Sequence, residues 1–389
     1  MTTAPILDLD RTSLEQIGRE LDEIYDSTMA DLGERDERYI KRLIRTQRSL
    51  AVGARVLMLA GAALRRRGVV GRTVAASRPA GTALLGLGTV GLGLAKILEN
   101  MEIGHNVMHG QWDWMNDPEI NATVWEWDSV CPSDQWKHGH NLVHHTWTNV
   151  RGMDRDIGYE ILRTTSATPW HPAYLAQPVY NALLGLLFEW GVGVHEIDFR
   201  KLPGATAEER ATQLELFRGF VRKAGRQVAK DYVLWPALAG PGFVDVAAAD
   251  AVANIIRNVW SYVIIFCGHF PDGVHVFERD VIENETRADW YVRQILGSAN
   301  ISGGPRFHVL AGNLSHQIEH HLFPDMPSRR YQQIAPRVRA LCARYELPYN
   351  SGPLWRQFAA TTRKIWRYAL PGGRDTTTHV PKWAAGRNL

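Results

Sequence analysis

His316–His321 reads HQIEHH and His140–His145 reads HNLVHH, the same H-x-x-x-H-H written twice and well over a hundred residues apart. On an α-helix residues i and i+4 share a face, and i+5 is turned by only about 100° from i+4. Each copy can therefore aim three imidazoles at one centre, and two copies supply two converging triads. HNVMH at His105–His109 adds two more. Eight of the chain's 15 histidines thus fall in three short stretches, a clustering that core filling does not explain.

Imidazole suits zinc, iron, copper and nickel alike, so ligand type leaves the metal open. Ligand number is more informative. A structural zinc takes about four ligands and a catalytic one about three plus water, so eight box histidines exceed one zinc and point to two metals. Two irons working on oxygen are the leading reading. His269 closes the apolar run WSYVIIFCGHF where a membrane helix would emerge, and it is taken as a ninth ligand. His138, His171, His195, His275, His308 and His379 stand alone and are read as surface or hydrogen-bonded core residues.

Other patterns fall away. Soluble di-iron bundles use mainly carboxylates with two E-x-x-H motifs; here Glu102–His105 fits, but inside an all-histidine set. The H-E-x-x-H of a membrane zinc protease is missing. GLGTVG at Gly86–Gly91 is formally G-x-G-x-x-G, yet it sits inside one apolar stretch beside Gly81 and Gly93, where close helix packing accounts for it. LPGG at Leu370–Gly373 has leucine where the haem-binding H-P-G-G of a cytochrome b5 module has its axial histidine. Cys131, Cys267 and Cys342 are odd in number, far apart and without C-x-x-C, which fits a reducing compartment. No bound flavin, haem or nicotinamide is therefore expected.

The 389 residues carry 44 basic and 41 acidic side chains spread along the chain, so no basic face for nucleic acid is expected. A mean hydropathy of −0.23 does not decide between a membrane protein and a large soluble helical one. Five apolar runs stand out: Ser49–Leu64, Ala80–Ala95, Thr164–Phe188, Tyr232–Val244 and Ala251–Cys267. The first two fall short of the ~20 residues a bilayer requires. Arg257 lies midway along the fifth and should face the bundle interior. All boxes must reach one centre, so an even number of spans separates His145 from His316. The fourth and fifth runs are expected to span, the third to lie at the interface, and the first two to form a hairpin. RRRGVVGR then faces outward, against the positive-inside tendency. Thr12–Arg48 has the spacing of an amphipathic cytosolic helix. The N-terminus lacks the features of a signal peptide, and Met1–Leu7 and Pro371–Leu389 read as loosely ordered tails.

The boxes H-x-x-x-H, H-x-x-x-H-H and H-Q-x-E-H-H resemble those of the integral-membrane fatty acyl desaturases. The surrounding segments ENMEIGHNVMHGQWDWMNDPEI, RGMDRDIGY, NVWSYVIIFCGHFPDG and GNLSHQIEHHLFPDMPS resemble actinobacterial acyl-CoA desaturases over most of Glu20–Tyr349. The resemblance implies an all-α fold, an integral membrane helical bundle of about four spans with a cytosolic helical cap holding a histidine-rich di-iron site. It implies a multi-pass protein of the cell membrane with its site on the cytoplasmic side. The divisions expected are 1–48 (N-terminal amphipathic region), 49–349 (desaturase domain) and 350–389 (C-terminal helix and tail).

The activity implied is O2-dependent desaturation of a saturated long-chain acyl-CoA, stearoyl to the cis-Δ9 product. Electrons would come from an external NADPH-dependent iron–sulfur flavin reductase or ferredoxin, with membrane lipid around the chain. A hydroxylase or a front-end Δ5 or Δ6 desaturase shares the boxes, and a metal-handling membrane protein is the non-enzymatic alternative. The expected ligands are His105, His109, His140, His144, His145, His269, His316, His320 and His321. Some relatives carry glutamine first in the third box. Here His316 keeps the register, and Gln317 joins Glu102, Asp154, Asp156 and Glu319 as candidates to orient the ligands. Arg151 and Arg155 are candidates for the coenzyme A phosphates.

Overall fold

The computed structural model of the chain describes residues 9–67, 74–199 and 202–372. The backbone there is mostly helical, with two three-residue strands. Helix α1 (Arg11–Ala30) starts at Asp10, whose carboxylate accepts the Ser13 N–H at 2.7 Å, the usual way an N-cap satisfies a free donor. Its Leu14, Ile17, Leu21 and Ile24 recur at helical spacing and are buried. Helix α2 (Glu34–Arg67) opens with Glu34, Asp36 and Glu37 in its first turn, which suits the positive end of the helix dipole. It passes residue 48 unbroken, so the change from charged to apolar sequence is not marked by any change of backbone.

Helix α3 (Val74–Ile97) returns antiparallel against α2, and the glycines explain how closely. A Cβ on Gly61 would stand 2.6 Å from the Leu85 amide nitrogen, and one on Gly88 would stand 2.7 Å from the Ala54 carbonyl oxygen. The GLGTVG stretch is thus a packing seam. From α3 the chain continues through a π-helical stretch, Leu98–His105, into Asn106–Met108, so Ser77–Met108 runs 32 residues and contains an 18-residue window with a mean hydropathy of 1.5. Most of RRRGVVGR lies outside the described residues.

The third apolar run is divided at Leu187 into α4 (Gln177–Leu186) and α5 (Phe188–His195). At ~1.5 Å per residue neither approaches the ~30 Å of a bilayer core. Helix α6 (Ala207–Val228) begins with a capping box in which Thr206 and Glu209 satisfy each other's backbone N–H. It extends through Ala229–Leu234 and Trp235–Leu238. Gly240, at φ +54°, and Pro241 then reverse the chain into α7 (Phe243–His269). The fourth run is therefore the end of one long helix plus its turn. Gly240–His269 is the second helix long and apolar enough to cross a membrane.

These four helices form two hairpins. A Cβ on Gly242, in the second turn, would lie 2.8 Å from the Ala62 Cβ near the end of α2, so both hairpins turn at the same end of the bundle. The histidine-bearing ends of α3 and α7 lie at the other. Inside the bundle, Arg55 pairs with Asp231 at 2.7 Å and Asp250 at 2.9 Å, while Lys96 meets Asp231 at 2.8 Å. Arg257 is 1% exposed and turned inward onto Glu189 and Asn100, as the cost of a charge facing lipid requires.

Beyond the histidine ends lies a second core. Helices α8 (Arg287–Leu296), α9 (Gln317–Leu322) and α10 (Tyr331–Arg344) bury Tyr291, Val292, Leu322, Ile334, Val338 and Leu341 against the apolar face of α1. Strand β1 (Asn300–Ser302) pairs in parallel with β2 (Ser351–Pro353), register Asn300↔Ser351, and leads to helix α11 (Leu354–Ala369).

Candidate metal centre

Each histidine arrives on a helix end or a wound segment. His105 closes the π-helical stretch after α3, and His109 follows one turn later. His140 and His144 lie on a second π-helical stretch, Lys137–His144, with His145 next in line. His269 is the last residue of α7, and α9 carries His320 and His321. The wider π turn is what re-aims the first two boxes, because it shifts the facing residue relative to an α-helix.

Two groups result. His105, His109, His140 and His320 form one, and His144, His269 and His321 the other; within each, one ring nitrogen per residue lies within 4.8 Å of those of its companions. His145 stands between them, its ring centre 4.7 Å from His109, 4.8 Å from His320 and 4.4 Å from His321. The His105 and His140 Nε2 atoms are 3.3 Å apart, as are those of His269 and His321. Metal–nitrogen bonds of ~2.1 Å put neighbouring ligand atoms roughly 3.0–3.4 Å apart. Among the described residues the buried His109 Nε2, His145 Nδ1 and Nε2 and His320 Nε2 have no hydrogen-bond partner, a state that burial makes costly without a metal. Burial first, and then the neighbouring imidazoles, push His109, His145, His320 and His321 well below the ordinary histidine range. They are neutral and able to ligate. The donor set fits a pair of borderline transition-metal ions.

The outer partners fix the rings. The Asp154 carboxylate lies 3.0 Å from His144 Nδ1 and also accepts the Asn149 N–H at 2.7 Å. The Asp154 carboxylate at His144 Nδ1 favours the neutral tautomer with its proton on Nδ1, which leaves Nε2 for a metal. Asp156 stands 3.6 Å from His144 Nδ1, 3.8 Å from His140 Nδ1 and 3.0 Å from His195 Nε2. Glu102 accepts from Tyr39, Ser328 and Asn313, and reaches His105 only through Asn106, whose Oδ1 is 3.0 Å from His105 Nδ1. Glu319 points away, to Asn300 and Tyr349, and anchors α9 to β1.

His316 is not brought to the centre. It precedes α9 at φ −104°, ψ 55°, outside helical geometry, so the i, i+4, i+5 register does not apply to it. Its ring lies 4.5 Å from that of His308. Gln317 takes the inward place, its Nε2 2.9 Å from His269 Nε2. His316→Ala is therefore expected to leave bound metal unchanged, whereas Gln317→Ala lowers metal affinity or activity by about 10–100-fold, the usual loss for an outer partner; metal analysis of the two variants checks this. Arg151 is paired with Glu278 and Arg155 with Glu160, and neither lines the cavity beside the histidines. Sequence reasoning missed Tyr331, 3.2 Å from His320 Nδ1, and Gln294 and Thr148, 3.1 and 3.2 Å from His321 Nδ1. None shares a motif with its histidine.

The cavity, about 1030 Å³ with its mouth, runs along one face of α7: His269, Ile265, Ser261 and Arg257 at four-residue steps. The twelve residues from His269 to Arg257 measure about 18 Å at ~1.5 Å per residue. Met101, Trp127, Phe188 and Val192 make its apolar walls, and the Arg257–Glu189 pair lies at the end away from the histidines. Trp136 stacks on His140 at 4.5 Å.

Helices carry two histidine clusters that could hold metal beside an apolar slot, and the chain belongs to the fatty acid desaturase family, oxidoreductases of lipid metabolism, whose model matches residues 80–353. It is 44% identical, over 97% of its length and 86% of the relative's, to the NADPH-dependent stearoyl-CoA 9-desaturase of Mycobacterium tuberculosis. It is also 23% identical, over 73% of its length and 80% of the relative's, to the sn-1 linoleoyl-lipid 6-desaturase of Synechocystis. With the Delta(5) fatty acid desaturase A of Dictyostelium discoideum it shares 22% identity over 67% of its length and 58% of the relative's.

Proposed function

We propose that the protein is an acyl-CoA desaturase that inserts a cis-Δ9 double bond into stearoyl-CoA at two irons, with electrons from NADPH through an external reductase. The observation that carries the metal assignment is the pair of histidine clusters with their unpartnered buried nitrogens. The substrate follows the mycobacterial relative, which matches along nearly the whole chain. The proposed ligands are His105, His109, His140, His144, His145, His269, His320 and His321, with Asp154, Asp156 and Gln317 orienting them.

Two irons, when bound, supply the oxidising power of O2 that removes hydrogen from an unactivated methylene, which no acid–base group can deprotonate. O2 takes up four electrons and four protons, two of each from the substrate's two C–H bonds, two electrons from the reductase and two protons from solvent, and leaves as two waters. The chain's own residues do the rest. Ile265, Val192 and Met101 exclude water from the methylenes, and Trp136 holds the His140 ring. Carbon–carbon bonds of ~1.5 Å advance an extended chain roughly 1.3 Å per methylene, so the eight carbons beyond C10 of a stearoyl chain need roughly 10 Å, which about 18 Å of slot accommodates. Depth in the slot then chooses which carbons meet the metals.

The two hairpins α2–α3 and α6–α7 are proposed as four membrane spans, with the histidine end and the helices α1 and α8–α10 on the cytoplasmic side. The divisions 1–48, 49–349 and 350–389 are proposed alongside that arrangement, the first boundary falling within α2. Metal analysis of the purified full chain tests the centre: two irons per chain are expected, and about one zinc without iron would overturn the assignment.

A further inference from the structure

Helix α11 and the segment beside it present an unusual face to the outside. Trp355 is 73% exposed and Trp366 60%, with Phe358 and Leu370 also exposed. Positions 355, 359, 362 and 366 follow one another at three- and four-residue steps, so the two tryptophans lie on one stripe. Arg356, Arg363 and Arg367 run along its edge, and the helix contains no acidic residue. Asp272 meets Arg363 at 2.9 Å and Arg367 at 3.7 Å. Three cations against one carboxylate leave a net positive edge.

Helix α4 continues this face. Leu175, Val179, Leu183 and Leu186 are exposed at helical spacing, in a stretch, Thr164–Phe188, with no charged residue. The two helices are tied together: Gln177 Nε2 donates to the Ile365 carbonyl at 2.8 Å and Trp170 Nε1 to the Ala369 carbonyl at 2.9 Å. Both sit at one level of the bundle. Ile365 packs into the cluster of Phe266 and Phe270, and Thr361 Oγ1 is 3.5 Å from the Phe266 carbonyl, at the end of the candidate span Gly240–His269. That level is where a bilayer's headgroups meet a span's end.

On the reading that α3 and α7 cross the membrane, we propose that α11 with α4 is an in-plane element that seats Trp355, Phe358 and Trp366 in the interfacial layer and sets Arg356, Arg363 and Arg367 against anionic phospholipid headgroups. Exposed tryptophan suits this layer because its ring is apolar and its N–H is polar. An apolar stripe with a basic edge is the pattern of a helix lying in the interface plane. Four basic residues in sixteen make α11 too charged to cross.

The three native cysteines are buried, so a single introduced cysteine takes up label selectively. The test places a spin label at Trp366→Cys in the full chain, reconstituted into vesicles of phosphatidylcholine alone or mixed equally with phosphatidylglycerol. Exposure to oxygen is compared with exposure to an aqueous nickel complex. Leu87→Cys, 63% exposed midway along α3, and Gln332→Cys, on the exposed face of α10, serve as references. Position 366 is expected to read as lipid-seated in the mixed vesicles. Arg356→Gln and Arg363→Gln should each weaken that seating roughly fivefold, the share of one basic residue near an anionic surface. A water-exposed label at 366 with a lipid-exposed label at 87 overturns the inference and leaves the membrane reading standing. A water-exposed label at 87 overturns the membrane reading and the inference with it. Equal seating in neutral vesicles overturns the role of anionic headgroups.

Discussion

His320→Ala is expected to abolish product formation and to lower bound metal. His320 belongs to the four-histidine group, its Nε2 is buried without a partner, and its Nδ1 is held 3.2 Å from the Tyr331 hydroxyl. Losing an outer partner such as that tyrosine typically costs about 10–100-fold in metal affinity or activity. Removing the ligand itself takes away the donor as well as its orientation, so activity should fall by more than ~100-fold. His171→Ala is the control. His171 is exposed and caps the short turn Pro172–Ala176, and its loss should leave metal content unchanged. Metal content and turnover measured together with the elution profile separate ligand loss from unfolding, since a misfolded chain would lose all its metal and its elution profile.

Arg257→Ala should destabilise the bundle by about 3–5 kcal/mol, the usual cost of removing one partner of a buried ion pair. Glu189 would be left with its charge in the slot, and Asn100 would lose its donor. Leucine at both positions, Arg257→Leu with Glu189→Leu, should recover most of that loss, because it removes the stranded charge along with the pair. Unfolding in mixed detergent checks both variants. A single variant as stable as the parent would mean that the pair contributes nothing to holding α5 against α7.

The site was legible because its chemistry is local. Three boxes at fixed spacing name eight histidines, and His269 follows from its place at the end of an apolar run; seven of these residues form the two clusters, and His145 stands between them. His316 was read inward because a continuous helix was assumed, whereas the helix starts one residue later and turns Gln317 inward instead. Nothing in one sequence fixes that start, since His316 and Gln317 are both able ligands. Tyr331, Gln294 and Thr148 were invisible for a different reason: they meet the histidines through tertiary packing and carry no pattern of their own. The fold was legible in part. The parity needed to bring the boxes to one centre foretold the first hairpin, and the glycines its close packing. The second was obscured, because charges in α6 hide its helix from hydropathy and Pro241 marks a turn inside what looked like a separate apolar run.

Membranes containing the protein, supplied with stearoyl-CoA, O2, NADPH and a matching reductase, provide the most direct measurement, with products resolved by mass spectrometry and the double bond located. Oleate formed only with O2 and reductant is the result expected, with none from the His320→Ala protein. Hydroxystearate, a bond nearer the carboxyl end, or no O2-dependent product at all would contradict the assignment as a Δ9 desaturase.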